Sequence, residues 1–241
     1  MQESSIKCAD CESSIASNID INGEKIPCSE CGSTKRRYYY KPNSMQMTNY
    51  TLDNFIAYKL SELTRCEAPN LSDDSKWLNS FILNSIFQVK LPDDTRAYIF
   101  NFLRRAEGAS FAYRSAILDI NEYLNTPQNN ISPYFKALSQ IEICISQCYQ
   151  GYELLSRASG ETIYTPGDGS CEERLQIVYV DSKHMDRMIH GDKLPESATS
   201  GIWITNNGIE SARGKLSFQE LHDTLMYMHT LAEKLVTLRA E

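Results

Sequence analysis

Eight cysteines are distributed unevenly along the 241-residue chain, and four of them form two closely spaced pairs. The pairs are Cys8 with Cys11 and Cys28 with Cys31, and sixteen residues separate one pair from the other. In each pair, the two intervening residues allow a tight turn that directs both thiolates toward one point. Two such turns provide the four ligands of a tetrahedral metal site, so this spacing constrains the start of the chain strongly.

Structural zinc is the metal that this spacing predicts. A redox-active C-x-x-C motif usually occurs once, at the start of a helix in a βαβ unit, and iron–sulfur proteins space their cysteines differently. Asn22-Gly23 in the spacer indicates a hairpin turn, and Gly32 suits a backbone position with positive φ. Four thiolates leave no coordination position open for water, so we expect a structural and not a catalytic ion. Residues 8–41 resemble the zinc-ribbon family.

A short basic and aromatic run, KRRYYYK, follows the second cysteine pair. Its cations are Lys35, Arg36, Arg37 and Lys41. Cations interleaved with aromatic rings can bind phosphates and stack on bases, so a local nucleic-acid contact through these four cations is one hypothesis. The favoured interpretation is that the tyrosines pack against protein while the cations are solvated, because one short basic run is a weak footprint for nucleic acid. The net charge of −7 falls on residues 49–241, because residues 1–48 contain six basic and six acidic residues. That acidic balance argues against broad phosphate binding.

Apolar periodicity predicts a mainly α fold, with a small β zinc ribbon over residues 1–48 and an all-α bundle over residues 49–241. Gly108 either kinks a helix or separates two of them. Residues 191–216 are expected to be irregular or to form a short hairpin around Trp203. The predicted helices cover 51–65, 72–87, 91–105, 109–125, 133–157, 171–189 and the segment from 217 onward.

The last predicted helix has the clearest start in the sequence. Ser217 and Glu220 have the spacing of a capping box, in which each side chain binds a backbone N–H near the helix start. Leu216 and Leu221 have the spacing of the accompanying hydrophobic staple. We therefore expect this helix to begin at residue 217 or 218.

Common catalytic signatures are absent from the sequence. It contains no phosphate-binding G-x-x-x-x-G-K-[ST], no H-E-x-x-H and no G-x-S-x-G. Cys144 and Cys148 lie one helical turn apart and are interpreted as core residues, and Cys171 is interpreted as structural. No apolar run is long enough to cross a membrane, and the N-terminus lacks a secretory leader. We therefore expect a cytoplasmic protein.

The second half of the chain resembles the HEPN superfamily of helical bundles over residues 130–240. A long helix precedes the sequence SKH at 182–184, IWITNNGI at 202–209 and LSFQELHDTL at 216–225. The resemblance implies an HEPN-like bundle that can pair as a homodimer and that works in bacterial antiviral defence or stress. Active members cut RNA without a metal and use an Arg and a His four to six residues apart.

The four histidines do not satisfy that spacing, because no arginine precedes any of them by four to six residues. They are His184, His190, His222 and His229. A composite site of His184, Arg187 and His190 remains as the catalytic alternative, in which His moves protons and Arg stabilises phosphate charge. We interpret the chain as a zinc-binding, non-catalytic interaction or accessory protein with a protein partner. The competing hypothesis is a metal-independent endoribonuclease that uses His184 and His190.

Overall fold

A computed structural model describes most of the chain. The described residues are 4–15, 25–40, 58, 60–63, 68–70, 76–87, 91–125, 131–191, 194 and 198–236. The chain divides into two compact units, residues 1–49 and residues 50–241. The hairpin predicted at Asn22-Gly23 and the cation Lys41 lie outside the described residues.

The first unit is organised by a three-stranded antiparallel sheet. Its strands are β1 (Ser4–Cys8), β2 (Ser14–Ile15) and β3 (Arg36–Tyr40), and β1 lies in the centre. Ile6 of β1 pairs with Ile15 on one side and with Tyr38 on the other. Since Cys8 ends β1 and pairs with Arg36 at the start of β3, the sheet fixes the position of the first cysteine pair.

The second unit is mainly α-helical, which confirms the predicted fold class. The described part of the unit contains six helices: α1 (Lys76–Phe87), α2 (Asp93–Asn125), α3 (Ser132–Ser159), α4 (Cys171–Lys183), α5 (Met185–His190) and α6 (Phe218–Val236). None of the described helices is both long enough and apolar enough to cross a membrane.

The long helices α2 and α3 form an antiparallel pair that contributes much of the core. Arg105 donates a hydrogen bond of 2.8 Å to Gln147, and toward the other end Tyr123 packs edge-on against Tyr134. Gly108 does not divide α2, so the two helices predicted over 91–105 and 109–125 are one. A Cβ at this position would lie 3.3 Å from the Gln147 side chain, and glycine therefore lets α3 approach closely.

A second small sheet accompanies the helices. Strands β4 (Ile202–Ile204), β5 (Gly208–Ser211) and β6 (Lys215–Ser217) are antiparallel in that order. The hairpin expected around Trp203 is β4–β5, and β6 adds a third strand that the sequence analysis did not predict. The unit is thus helical with a small sheet and not all-α. Ile202, Ile204 and Ile209 are fully buried in the core.

Two predicted helices differ from the structure. Of the helix predicted over 51–65, residues 58 and 60–63 are described and are not helical. The N–H groups of Ser61 and Glu62 instead donate to the side chain of Asn206, at 3.1 and 3.3 Å, which satisfies them without a helical turn. The helix predicted over 171–189 is interrupted at His184, whose backbone is not helical (φ −113°, ψ 46°).

Candidate metal centre

The two cysteine pairs form backbone turns of the same kind. In the first turn, the Cys8 N–H donates to the Ser13 carbonyl at 2.9 Å, and the Glu12 N–H donates to the Cys8 carbonyl at 3.0 Å. In the second turn, Cys28 and Ser33 form the equivalent bond at 2.9 Å, and the Gly32 N–H reaches the Cys28 carbonyl at 2.8 Å. The two cysteine pairs therefore adopt the same hydrogen-bonded turn.

The four cysteine sulfurs converge. Their Sγ atoms all lie within 4.8 Å of one another, with Cys8 and Cys31 at 3.4 Å and Cys11 and Cys28 at 3.6 Å. A tetrahedral zinc site with bonds of about 2.3 Å has sulfur–sulfur edges of about 3.8 Å. The arrangement is therefore close to the geometry that four thiolates adopt around one ion, and it can hold a metal.

Half of the ligand set is shielded from solvent. Cys8 and Cys28 are buried, while Cys11 and Cys31 are exposed. The first cysteine of each pair therefore anchors the site in the small unit, and the second cysteine of each pair closes the site on its solvent side. Because all four ligands are protein thiols, a tetrahedral ion here has no position left for a substrate or an activated water.

Hydrogen bonds to the sulfurs favour thiolates at this centre. The Ser13 hydroxyl lies 2.7 Å from the Cys11 sulfur and 3.3 Å from the Cys28 sulfur, and together with the N–H groups of Cys31 and Glu30 it lowers the pKa of Cys28 to about 6. Cys31 differs from Cys28. The Ser33 N–H lowers its pKa, but the neighbouring thiols, with a smaller effect from partial desolvation of this mostly exposed side chain, outweigh that bond and raise the pKa to about 12.

This contrast has a simple cause. Four thiols at van der Waals distance cannot all carry a negative charge unless a cation neutralises them. A bound divalent ion supplies that charge and displaces the protons, so the crowding that disfavours ionisation in the free thiols becomes a favourable ligand set. The donor chemistry therefore fits a thiophilic divalent metal.

The predicted nucleic-acid-binding cations contact other groups of the same unit. The Lys35 ammonium lies 3.7 Å from Asp10, and the Arg37 guanidinium lies 3.1 Å from Glu12. Hydrogen bonds from Ser33, assisted by the charge of Lys35, lower the pKa of Asp10. Both acids belong to the first cysteine turn, so these ion pairs connect that turn to residues 35–37, which follow the second cysteine pair.

Arg36 has a structural role. Its guanidinium donates to the Ser33 carbonyl at 3.0 Å and also to the carbonyls of Lys35 and Ile26. These bonds brace the backbone on both sides of the second cysteine pair. No sequence pattern indicated this role of Arg36. The role of Ser13 could have been inferred from the sequence, because the pattern C-x-x-C-x-S occurs in both turns.

Of the other four cysteines, Cys66 lies outside the described residues, and the remaining three belong to no metal-holding cluster of the described structure. Cys144 and Cys148 are fully buried in the helical core, as their spacing on α3 indicated, and burial raises the pKa of Cys144. Cys171 is the first residue of α4 and lies 3.7 Å from the Thr224 hydroxyl. Burial raises its pKa too, which disfavours a reactive thiolate.

The residues of the alternative catalytic site lie near one another along the chain but do not interact. His184 occupies the break between α4 and α5, and Arg187 and His190 are exposed on the six-residue helix α5. Within the described residues, no hydrogen bond or ion pair involves any of the three side chains. The arrangement therefore has none of the orienting contacts that hold a proton-transferring histidine in place.

Comparison with known proteins yields no relative: no family model, no curated protein and no solved structure matches this chain. The resemblance to HEPN bundles, and the role in antiviral defence that it implies, therefore rest on the sequence features alone. What the fold and the site define is a protein with a four-cysteine centre in a small β unit and a mainly helical second unit.

Proposed function

We propose that this chain is a zinc-dependent, non-catalytic interaction protein. The observation that carries the proposal is the closed set of four sulfurs, which fits a tetrahedral ion and leaves no open coordination position. Zinc is the favoured ion because it accepts four thiolates in tetrahedral geometry and has no redox chemistry that would damage them. The ion orders a unit whose described strands are only two to five residues long.

A protein partner is favoured over nucleic acid as the binding target. Of the three described cations that follow the second cysteine pair, two form ion pairs with acids of the first turn, and Arg36 binds backbone carbonyls. Cations that are already paired gain less from phosphate, because the existing pair must be broken first. The ribbon then offers a surface with balanced charge, which suits a protein partner better than a polyanion.

Metal analysis of the purified protein tests the proposal. We expect one zinc ion per chain for the wild type and for Cys171→Ser, a variant outside the centre. Cys8→Ser and Cys28→Ser should lose the ion, since each removes one buried ligand. Zinc that stays bound in both ligand variants, or a wild-type protein that refolds equally well in chelator, would overturn the assignment.

Assays with nucleic acid separate the proposal from its two competitors. We expect no RNA cleavage by the zinc-loaded protein, and we expect no effect of His184→Ala. Cleavage that His184→Ala abolishes would replace the proposal with the endoribonuclease hypothesis. Salt-sensitive RNA or DNA binding that is lost in Arg37→Glu would assign the ribbon to nucleic acid instead, because salt dependence reports phosphate contacts.

A further inference from the structure

A cavity of about 480 Å³ opens in the helical unit, beside the end of α3. It is lined by the last two turns of α3, by the loop that follows, by the start of α4 and by α6. Its apolar lining comes from Leu155, Ile163 and Leu231, and two tyrosines complete it. The cavity lies wholly within the second unit, so its properties do not depend on the metal centre.

The two tyrosines provide aromatic surface of different accessibility. The ring centroids of Tyr152 and Tyr227 lie 6.0 Å apart, and the rings are inclined at 59°. Tyr152 is 6% exposed, so the core holds its ring in place, whereas Tyr227 is 55% exposed and presents its ring to solvent. Aromatic faces carry a negative electrostatic potential that attracts cations.

The charged lining has one sign. Glu161 and Glu172 both line the cavity, and none of the described lining residues is a Lys, an Arg or a His. Neither of these carboxylates forms an ion pair with any residue that the structure describes. Burial is the main cause that raises the pKa of the Tyr152 phenol, and the charge of nearby Glu172 makes a smaller contribution in the same direction. Two acids without basic partners leave a local excess of negative charge.

The end of α3 adds to this potential. Ser156, Ala158 and Ser159 line the cavity and belong to the last turn of the helix. The Ser156 carbonyl of this turn accepts a hydrogen bond of 2.8 Å from the Gly160 N–H, but the backbone carbonyls at a helix C-terminus still carry partial negative charge, which stabilises cations placed there. Aromatic faces, carboxylates and a helix end therefore favour the same kind of ligand.

We propose that this cavity binds an organic ammonium ion carried on an apolar stem. The aliphatic and aromatic lining buries the stem, while the tyrosine rings and the two glutamates stabilise the charged head. An anionic ligand would meet repulsion from Glu161 and Glu172, and a neutral apolar ligand would leave the carboxylates without compensation. This binding site goes beyond the proposed zinc-dependent role and does not require it.

Titration of the full-length protein with choline, followed by amide NMR signals, tests the site. The control ligand is 3,3-dimethylbutan-1-ol, which has the shape of choline without its charge. We expect choline to shift signals of Ile163, Glu172 and Tyr227, and we expect the neutral analogue to bind about tenfold more weakly. Equal binding of the two ligands, or shifts confined to other regions, would overturn the proposal.

Variants identify the groups that recognise the charge. Glu172→Gln should weaken choline binding about fivefold, as expected for the loss of one charge near the surface. Tyr227→Ala should weaken it about threefold, and because this side chain is mostly exposed the variant should fold normally. Asp186→Asn removes one exposed acid outside the cavity and should leave affinity unchanged. If Asp186→Asn weakens binding as much as Glu172→Gln, the attraction is nonspecific and the site is refuted.

Comparison of choline with a second ligand distinguishes a free amine from an ammonium group on a partner protein. A short glycine-flanked peptide containing trimethyl-lysine presents the same headgroup on a polypeptide. Tighter binding of this peptide than of choline supports a side chain of a partner protein as the occupant. Tighter binding of choline supports a free amine. Failure of both ligands refutes the site but leaves the zinc assignment untouched.

Discussion

Glu12 and Gly32 occupy the same position in the two cysteine turns, and both have a positive φ, 60° and 73° respectively. Each residue directly follows the second cysteine of its pair and donates its N–H to the carbonyl of the first cysteine. Glycine adopts this conformation freely, whereas a residue with a Cβ is strained there by about 1 kcal/mol. The first turn is therefore strained at a position where the second is not.

A glycine at position 12 should raise the metal affinity, and a residue with a Cβ at position 32 should lower it. Because the ion and the fold of such a small unit are coupled, strain in a turn appears as weaker binding. We expect Glu12→Gly to bind zinc up to about fivefold more tightly, and Gly32→Ala to bind about fivefold more weakly. Competition with a chromophoric chelator measures both affinities.

Glu12 also forms an ion pair with Arg37, so Glu12→Gly removes both the backbone strain and this ion pair. Glu12→Gln removes the charge and keeps the Cβ, and it should leave affinity within about twofold of wild type, because exposed ion pairs contribute little. If Glu12→Gln changed affinity as much as Glu12→Gly, the ion pair and not the backbone would be the cause.

The start of α6 is fixed by reciprocal hydrogen bonds. Glu220 donates its N–H to the Ser217 hydroxyl at 3.1 Å, and the Ser217 N–H donates to the Glu220 carboxylate at 2.8 Å. The same carboxylate pairs with Arg174 of α4. Partial burial alone would raise the pKa of Glu220, but the bonds from Ser217 and Arg174 outweigh it and lower the pKa below its usual value.

Glu220→Gln should therefore destabilise the helical unit in a pH-dependent way. A carboxyl with a lowered pKa in the folded state stabilises it above the pKa of the unfolded chain, and this contribution disappears as pH falls through the folded value. We expect a loss of about 1 kcal/mol at pH 7 that shrinks below pH 4. Urea unfolding followed by tryptophan fluorescence measures it, since both tryptophans, Trp77 and Trp203, lie in this unit.

Ser217→Ala provides the comparison for this effect. It removes the hydroxyl cap and should cost about 1 kcal/mol. Because the backbone N–H of residue 217 and the Arg174 guanidinium still bind the Glu220 carboxylate, the pH dependence should largely persist in this variant. A cost of Glu220→Gln that stays constant from pH 7 to pH 3 would show that the carboxylate charge plays no part.

Features encoded over a few residues were predictable from the sequence. The capping box at Ser217 and Glu220 and the convergence of the four cysteines depend on spacings that fix local geometry. The paired C-x-x-C turns act as separate local structures, and their similarity follows from their similar sequences. For the same reason the mainly α class was predictable from apolar periodicity.

Features that depend on distant contacts were not predictable. The residues 60–63 have helical periodicity, yet Asn206, far along the chain, binds two of their N–H groups. Gly108 has low intrinsic helix propensity, but close packing against Gln147 favours it within α2. Similarly, Lys35 and Arg37 look like free cations in the sequence, and only the fold reveals the acids beside them.

Asp181 of α4, which pairs with Arg213, has the most deeply buried carboxylate among the ion pairs of the described residues, whereas the Arg213 side chain is 48% exposed. The Asp181 side chain is 1% exposed, and its Oδ1 accepts a hydrogen bond of 2.7 Å from the Arg213 Nε and a second one from Nη2. Its other oxygen, Oδ2, has no hydrogen-bond partner in the described structure. Arginine is thus the main compensation for a carboxylate removed from water.

Arg213→Ala should therefore destabilise the helical unit by about 1–2 kcal/mol, because it leaves the buried Asp181 carboxylate without its main partner, while water screens the half-exposed guanidinium and reduces its contribution. Asp181→Asn in the Arg213→Ala background removes that charge and should recover part of the loss. Urea unfolding of the single and double variants completes the thermodynamic cycle. Additive effects of the two substitutions would show that the pair contributes no coupling energy.

Tyr134 connects α3 to the small sheet. Its ring is fully buried, and its hydroxyl accepts a hydrogen bond of 3.1 Å from the Ile204 N–H. Burial raises the pKa of Tyr134 to about 12, and the bond from Ile204 offsets only part of that rise. The phenol therefore remains protonated in the folded state at pH values where it ionises in the unfolded chain.

This difference in pKa makes the stability of the folded state depend on pH above about pH 10. Because the pKa of Tyr134 is raised in the folded state, its contribution to the free energy of unfolding is intact below about pH 10. This contribution falls as pH rises toward 12, by at most about 1.4 kcal/mol for each pH unit. Tyr134→Phe should cost about 1–2 kcal/mol at pH 8, because it leaves the Ile204 N–H unpaired, but it should lose less stability between pH 10 and 11. Urea unfolding at each pH measures both effects. Tyr227→Phe, at a side chain that is 55% exposed, should match wild type at pH 8. A Tyr134→Phe variant with the full wild-type loss above pH 10 would contradict this account.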